Sequence, residues 1–253
     1  MTYFQFHLLF ILPPIFILAL LRPIRGELAR KRAGLGLVFI CALAMVYTTP
    51  WDNYLVYKGV WQYGEDRVMG TIGYVPVEEY LFFILQSIMT GLLFCRLARA
   101  MPFEGKPAPN WIGTAFWSAV TLAGVACLFF ERTLYAGLIL AWAPPVLALQ
   151  WGVGGSEFSQ NKRLYAAAVG LPTIYLWIAD ALAIHWGIWS ISTDYTVGLK
   201  VGSLPVEEAI FFLMTNLLVV QGLWLFLKRE SILKVGAITK RQSGYFRESS
   251  ARR

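Results

Sequence analysis

Seven continuous apolar runs dominate the chain, at residues 3–21, 34–50, 77–97, 111–130, 133–151, 164–184 and 206–227. Each is near the ~20 residues that a helix needs to cross about 30 Å of hydrocarbon. Their continuity argues for helices, because barrel strands would alternate in short pieces. Composition agrees. Hydrophobic residues fill 57% of the 253 positions and charged residues only 15%, against about 25% charged in a soluble domain. One soluble core of this size could not cover so much apolar surface. The expected class is an all-α polytopic integral membrane protein, which argues against a nucleic-acid partner. In a prokaryotic cell it would sit in the plasma membrane.

The net charge of +7 acts through its placement. Eighteen of the 22 Lys and Arg fall on one set of connections: Arg22 to Arg32, Arg96 to Lys106, Lys162-Arg163 and the segment from Lys228 onward. Only Lys58, Arg67, Arg132 and Lys200 fall on the other. The positive-inside rule then puts the N-terminus outside and the C-terminus in the cytoplasm. The first run lacks a basic leader and an A-x-A site, so it reads as a span and not a cleaved signal. The basic segment 229–253 reads as a mobile cytoplasmic tail that anchors topology and favours anionic membrane lipid.

The two halves resemble each other. Pro13-Pro14 and Pro144-Pro145 each lie mid-run. The segment 52–61, read as a loop, matches 180–189 at Asp52/Asp180, Gly59/Gly187 and Trp61/Trp189. Pro76-Val77-Glu78-Glu79-Tyr80-Leu81-Phe82-Phe83 matches Pro205-Val206-Glu207-Glu208-Ala209-Ile210-Phe211-Phe212 at six of eight positions. Three matched blocks in one order imply a repeat. The expected organisation is seven transmembrane helices in a 3+1+3 arrangement. Residues 1–110 form the first three-helix repeat, 111–131 a linking helix, 132–228 the second repeat and 229–253 the tail. An odd linker makes the repeats parallel. Both acidic motifs then lie on the outer side.

A lone Pro-x-Glu-Glu is an ordinary helix start, with proline at N1 and acids at the positive end of the dipole. Here it occurs twice, and each time it enters a strongly apolar helix. Ionisable groups at that depth are costly and point to function. Neighbouring glutamates on a helix point about 100° apart. In a low dielectric such a pair does not readily ionise twice, so one member keeps its proton. An acid and a base then stand together, as acid–base catalysis requires. Glu78, Glu79, Glu207 and Glu208 are the candidate catalytic residues. Mg²⁺ held by carboxylates is the alternative, but that face lacks the basic residues expected to hold a diphosphate.

Aromatic residues crowd the same side. Most fit an interfacial belt. Phe82, Phe83, Phe211 and Phe212, one turn below the carboxylates, are candidates to line a pocket that stabilises a carbocation. Asp180 lies inside an apolar run and is a further candidate for substrate binding. Asp52 is read as a solvated helix end. His7 and His185 are read as interfacial or packed. Gln86, Ser87, Thr90, Thr215 and Asn216 could line a polar seam or bond helices together. Cys41, Cys95 and Cys127 lie in apolar runs without C-x-x-C spacing and are read as small buried hydrophobes. Gly34-Leu35-Gly36 is no dinucleotide fingerprint, and Gly152-Val153-Gly154-Gly155-Ser156 is read as a loop. No metal or other cofactor is expected.

The duplicated Pro-Val-Glu-Glu entering Phe-Phe, within a small 3+1+3 membrane protein, resembles the membrane-embedded lycopene cyclases. These occur as two short subunits in some bacteria and as fused chains elsewhere, and this chain is similar to the fused form over about residues 1–227. The family's Pro-x-Glu-Glu/Asp pattern falls on Pro76, Glu78 and Glu79 and on Pro205, Glu207 and Glu208. The resemblance implies an intramolecular lyase, or isomerase, of carotenoid biosynthesis. It would take a lipid-soluble carotenoid and close β-ionone rings on lycopene by proton-initiated, redox-neutral cyclisation, giving γ-carotene or β-carotene. Two other readings remain: a small-solute transporter with 3+1+3 parallel repeats, and a related cyclase for C50 carotenoids. A retinal protein is excluded because the run 206–227 has no lysine.

Overall fold

The computed structural model describes residues 1–21, 27–101, 105 and 107–250, with side chains as far as Lys228. Arg22, Arg25, Lys106, Arg252 and Arg253 of the charge asymmetry lie outside the described residues, as do the tail side chains beyond Lys228.

Seven helices follow one another among the described residues: α1 (Tyr3–Leu20), α2 (Glu27–Tyr57), α3 (Val77–Ala100), α4 (Trp111–Cys127), α5 (Leu134–Gln160), α6 (Lys162–His185) and α7 (Val206–Ser250). Six are long and apolar enough to cross a membrane, and α4 is shorter at 17 residues. The chain is thus a helical membrane protein. Large apolar side chains on the outer faces, such as Phe16, Val46, Ile112 and Leu122, stay exposed, as a lipid-facing surface allows.

Two segments read as loops are helical. The first, from Asp52 onward, continues α2 past Pro50 as far as Tyr57. Side chains bridge the interruption: Thr49 Oγ1 donates to the Met45 carbonyl (2.6 Å) and Asn53 Nδ2 to the Thr49 carbonyl (2.9 Å). The second, 152–156, lies within α5, which absorbs its glycines through a kink at Gly154 (φ −151°, ψ 20°). Glu131–Thr133 makes the tight turn into α5 as one turn of 3-10 helix.

In α1, His7–Ile11 forms a π-helical turn ahead of Pro13-Pro14. Pro14 has no N–H for the Phe10 carbonyl, and the Tyr175 hydroxyl of α6 donates to it instead (2.6 Å). At the matching place, the Tyr47 hydroxyl of α2 donates to the Trp142 carbonyl of α5 (2.8 Å). The second helix of each half is therefore tied to the first helix of the other, and the halves interlock. Helix α4 packs on α5, where Gly124 brings the backbones together: a Cβ there would lie 2.6 Å from the Leu140 carbonyl carbon.

Six short strands add an element that the hydrophobic pattern did not signal. Thr71–Ile72 (β2) pairs with Val75–Pro76 (β3), and Lys200–Val201 (β5) with Leu204–Pro205 (β6), both antiparallel. Each hairpin turns on two residues and opens with a glycine at positive φ, Gly73 (67°) and Gly202 (64°), as such tight turns require. Trp61–Tyr63 (β1) pairs with Trp189–Ile191 (β4) in the register Trp61↔Ile191, Gln62↔Ser190 and Tyr63↔Trp189. This ribbon joins the halves across the end of the bundle that carries the acidic motifs.

Deeper in the bundle, a buried polar seam crosses α3, α6 and α7. Gln86 Nε2 donates to Thr215 Oγ1 (3.2 Å) and to Asn216 Oδ1 (3.1 Å). Thr90 Oγ1 donates to Asn216 Oδ1 (2.6 Å), and Asn216 Nδ2 to Thr173 Oγ1 (3.0 Å). These groups bond one another, so they hold helices together as intramembrane polar side chains do.

Candidate active site

The four motif glutamates sit in the first turns of α3 and α7, and all are buried: Glu78 0%, Glu79 2%, Glu207 0% and Glu208 1% exposed. Within each pair the two members do different things. The first faces its own hairpin. Glu78 Oε1 accepts the Met69 N–H (2.8 Å), and Glu207 Oε1 accepts the Val197 N–H (2.7 Å). The second faces inward and takes a tyrosine. The Tyr3 hydroxyl donates to Glu79 Oε2 (2.6 Å), and the Tyr135 hydroxyl donates to Glu208 Oε1 (2.6 Å). The Tyr63 hydroxyl adds a longer bond to Glu79 Oε2 (3.3 Å).

The aromatic lids are exchanged between halves. Trp189 of the second half packs on Tyr3 (4.7 Å between centroids), and Trp61 of the first half packs edge-on to Tyr135 (6.3 Å). In the interior beside them, Asp52 and Asp180 each lie near Glu79, and Glu208 lies near both Asp180 and Glu79, close enough to interact electrostatically. Tyr63 reports that gathering. Burial pushes its phenol well above the ordinary range, and the neighbouring carboxyl groups of Glu79, Asp52 and Glu208 add to the shift.

Asp52 is not a solvated helix end. It is fully buried, and neither carboxyl oxygen meets a hydrogen-bond donor among the described residues. The continuation of α2 past Pro50 carries it under the β1–β4 ribbon. Asp180 is also buried, but Trp189 Nε1 donates to its Oδ1 (2.8 Å). His7 is packed, as expected, at 1% exposure. Its ring lies against Tyr3 (4.8 Å) and Phe82 (6.1 Å), and neither ring nitrogen has a partner among the described residues.

A cavity of about 1110 Å³ begins beneath this cluster and runs toward the other end of the bundle. Phe82, Phe83 and Phe211 line its upper part, while Gly222, Leu225 and Phe226 line its lower part. Phe212 is outside the lining; it stacks edge-on against Phe82 (6.0 Å) and Phe211 (5.3 Å). Asp52, Asp180 and the four glutamates are also outside the lining. The carboxylates stand one helical turn above Phe82, Phe83 and Phe211, behind an aromatic wall that Trp51, Trp61 and Trp142 extend through contacts with Phe211 of 5.6, 5.8 and 6.3 Å. The volume is at or above the 300–1,000 Å³ common for ligand pockets. Its lining is mainly apolar, which fits a hydrocarbon better than a polar solute.

Tyr3 and Tyr135 are the site residues that sequence reasoning missed. Each opens the helix that carries its half's Pro-Pro pair, and that equivalence was the available signal. A tyrosine at a helix end is otherwise an ordinary interfacial residue.

The chain is similar to known proteins over most of its length. A family model described as lycopene cyclase matches residues 1–97 and 132–224. A lycopene beta-cyclase of Halobacterium salinarum is 42% identical over 231 residues, covering 89% of this chain and 95% of that protein. A bifunctional lycopene cyclase/phytoene synthase of Gibberella fujikuroi is 36% identical over 87% of this chain and 39% of its own length. The corresponding protein of Aspergillus niger is 34% identical over 73% of this chain and 33% of its own length. No solved structure matches.

Proposed function

The chain belongs to the lycopene cyclase family, and from that premise we propose that it closes β-ionone rings on the acyclic ends of lycopene in carotenoid biosynthesis. It is an intramolecular lyase, or isomerase, acting on a lipid-soluble carotenoid within the membrane. The observation that carries this reading is the placing of Glu79 and Glu208, each on a tyrosine, directly above a long apolar cavity. A carboxyl group protonates C2 of the terminal double bond. The tertiary cation at C1 is attacked by the 5,6 double bond, and loss of the C6 proton to a carboxylate completes the ring. The aromatic wall offers π faces to the cation and keeps water from quenching it.

Within each motif we assign the chemistry to Glu79 and Glu208. Glu78 and Glu207 secure the hairpins that close the site. Phe82, Phe83 and Phe211 guide the hydrocarbon, Phe212 braces them, and Asp180 holds Trp189 over Tyr3. The site is composite, since both halves supply carboxylates and lids.

The architecture supports a 3+1+3 parallel repeat with seven spans, in which α4, about 25 Å long at 1.5 Å per residue, is the linking span. The two stretches matched by the family model fall on the two three-helix groups, 1–110 and 132–228. The lysine and arginine bias supports an outer N-terminus, a cytoplasmic tail at 229–253 and, in a prokaryote, the plasma membrane. Expression in lycopene-accumulating cells, followed by extraction and chromatography of the pigments, tests the reading. Cyclic carotenes are the expected product; unchanged lycopene in membranes containing the protein would sink it.

A further inference from the structure

The cavity is one-sided. Helices α2, α3, α5 and α7 line it, whereas α1 and α6 contribute no residue to it among the described residues. Along α2 the lining includes Ile40, Ala44 and Thr48. Asp52 is the next residue on that face, one turn above Thr48. Its counterpart Asp180 lies on α6, away from the cavity, with Oδ1 tied to Trp189. The two aspartates therefore occupy equivalent places in the repeat; neither lines the cavity, but only Asp52 stands on a helix that does.

Their hydrogen bonding is also unequal. A buried carboxylate anion needs donors. Glu79 has the hydroxyls of Tyr3 and Tyr63, and Glu208 has that of Tyr135. Asp52, fully buried, has none among the described residues. A carboxyl group in that setting is at home as the neutral acid. The groups that face it are Glu79, Tyr3 and Tyr63, and among the described residues no Lys, Arg or His bonds to it.

We propose that Asp52 is a catalytic residue, the proton donor that starts cyclisation at the upper end of the cavity, with Glu79 as the acceptor that ends it. This rests on the lycopene-cyclase reading. The Asp52 O–H bond breaks as the C1=C2 π pair takes the proton at C2. The C5=C6 π pair then forms the C1–C6 bond and leaves the positive charge at C5. The C6–H pair forms the new C5=C6 bond, and the proton passes to Glu79. Return of that proton from Glu79 to Asp52 resets the site with no net proton, electron or water consumed.

The test uses the full chain in membranes, supplied in parallel with lycopene and with lycopene 1,2-epoxide. The epoxide oxygen is far more basic than an alkene carbon, so its opening depends much less on a strong proton donor. With lycopene, Asp52→Asn is expected to lower turnover ~100-fold or more, at unchanged protein level and melting temperature. Asp52→Glu is expected to recover part of it. With the epoxide, Asp52→Asn should stay within about tenfold of the parent, a rescue that a merely structural role would not give. If Asp52→Asn cyclises lycopene within about threefold of the parent, or loses both substrates alike while normally folded, the proposal is overturned. If the parent itself leaves lycopene unchanged, the lycopene-cyclase reading fails first, and the two failures are distinct.

Discussion

The two halves hold their motif glutamates in the same way and differ in what surrounds them. In each, the first glutamate accepts an N–H from the segment leading into its hairpin and the second accepts a tyrosine hydroxyl at 2.6 Å. Four residues beyond that tyrosine, however, the first half has His7 and the second has Ile139, both buried. The first half sends α2 to the cavity with an unbonded Asp52, while the second sends α6 away from it with a bonded Asp180. The substrate is a molecule with two like ends, yet the protein presents one open flank. The shared features include those assigned above to the chemistry, and the unshared ones lie at His7 and at the second helix of each half.

The strongest way to break the comparison is at the inward glutamates. Glu79→Gln and Glu208→Gln are each expected to cut ring closure ~100-fold or more, read by chromatography of pigments from lycopene-producing cells. If either variant alone keeps full activity, the halves do not share one site.

Removing the tyrosine donors is the next step down. Tyr3→Phe and Tyr135→Phe each leave a buried carboxyl oxygen without its hydroxyl donor, at a cost of about 1–3 kcal/mol. A loss of roughly 10- to 100-fold in turnover should follow if the bond orients the reacting carboxylate. Unequal losses would reveal which half meets the substrate end, and no loss in either would make the tyrosines mere packing.

Glu78→Gln and Glu207→Gln should act mainly on stability, since the carboxyl oxygen that accepts the Met69 or Val197 N–H is replaced by an amide. A drop of about 1 kcal/mol is expected, measured as a lower melting temperature in detergent with turnover per folded molecule reduced less than tenfold. A selective collapse of turnover at full stability would return these residues to the chemistry.

The smallest effect is expected at His7→Ile, which makes the first half match the second. Two unpartnered ring nitrogens disappear, so stability should rise by about 1 kcal/mol with little change in rate. A large loss of activity would show that the asymmetry is used.

Much of this was legible in the residues, and the failures have physical causes. Repeated carboxylates inside apolar runs are costly anywhere but a site, so Glu78, Glu79, Glu207 and Glu208 all stood out. The division of labour within each pair did not, because it depends on hairpins only two residues per strand long. Asp52 was misread because Pro50 normally ends a helix, whereas α2 continues through it to Tyr57, with the Thr49 and Asn53 side chains bonded to the Met45 and Thr49 carbonyls. The cavity was invisible for another reason. Ile40, Thr48, Phe83 and Gly222 share no pattern in the chain, and only the interlocking of the halves brings them to one wall.

The β1–β4 ribbon has a consequence for how such a molecule can be assembled. Its three residue pairs bond one half to the other through the backbone, and the tyrosine tethers from Tyr47 and Tyr175 cross between halves as well. None of these contacts needs a peptide link between the halves. A chain severed between α3 and α4 should therefore recombine from two separately made fragments, each inserting by itself and the ribbon zipping them in register.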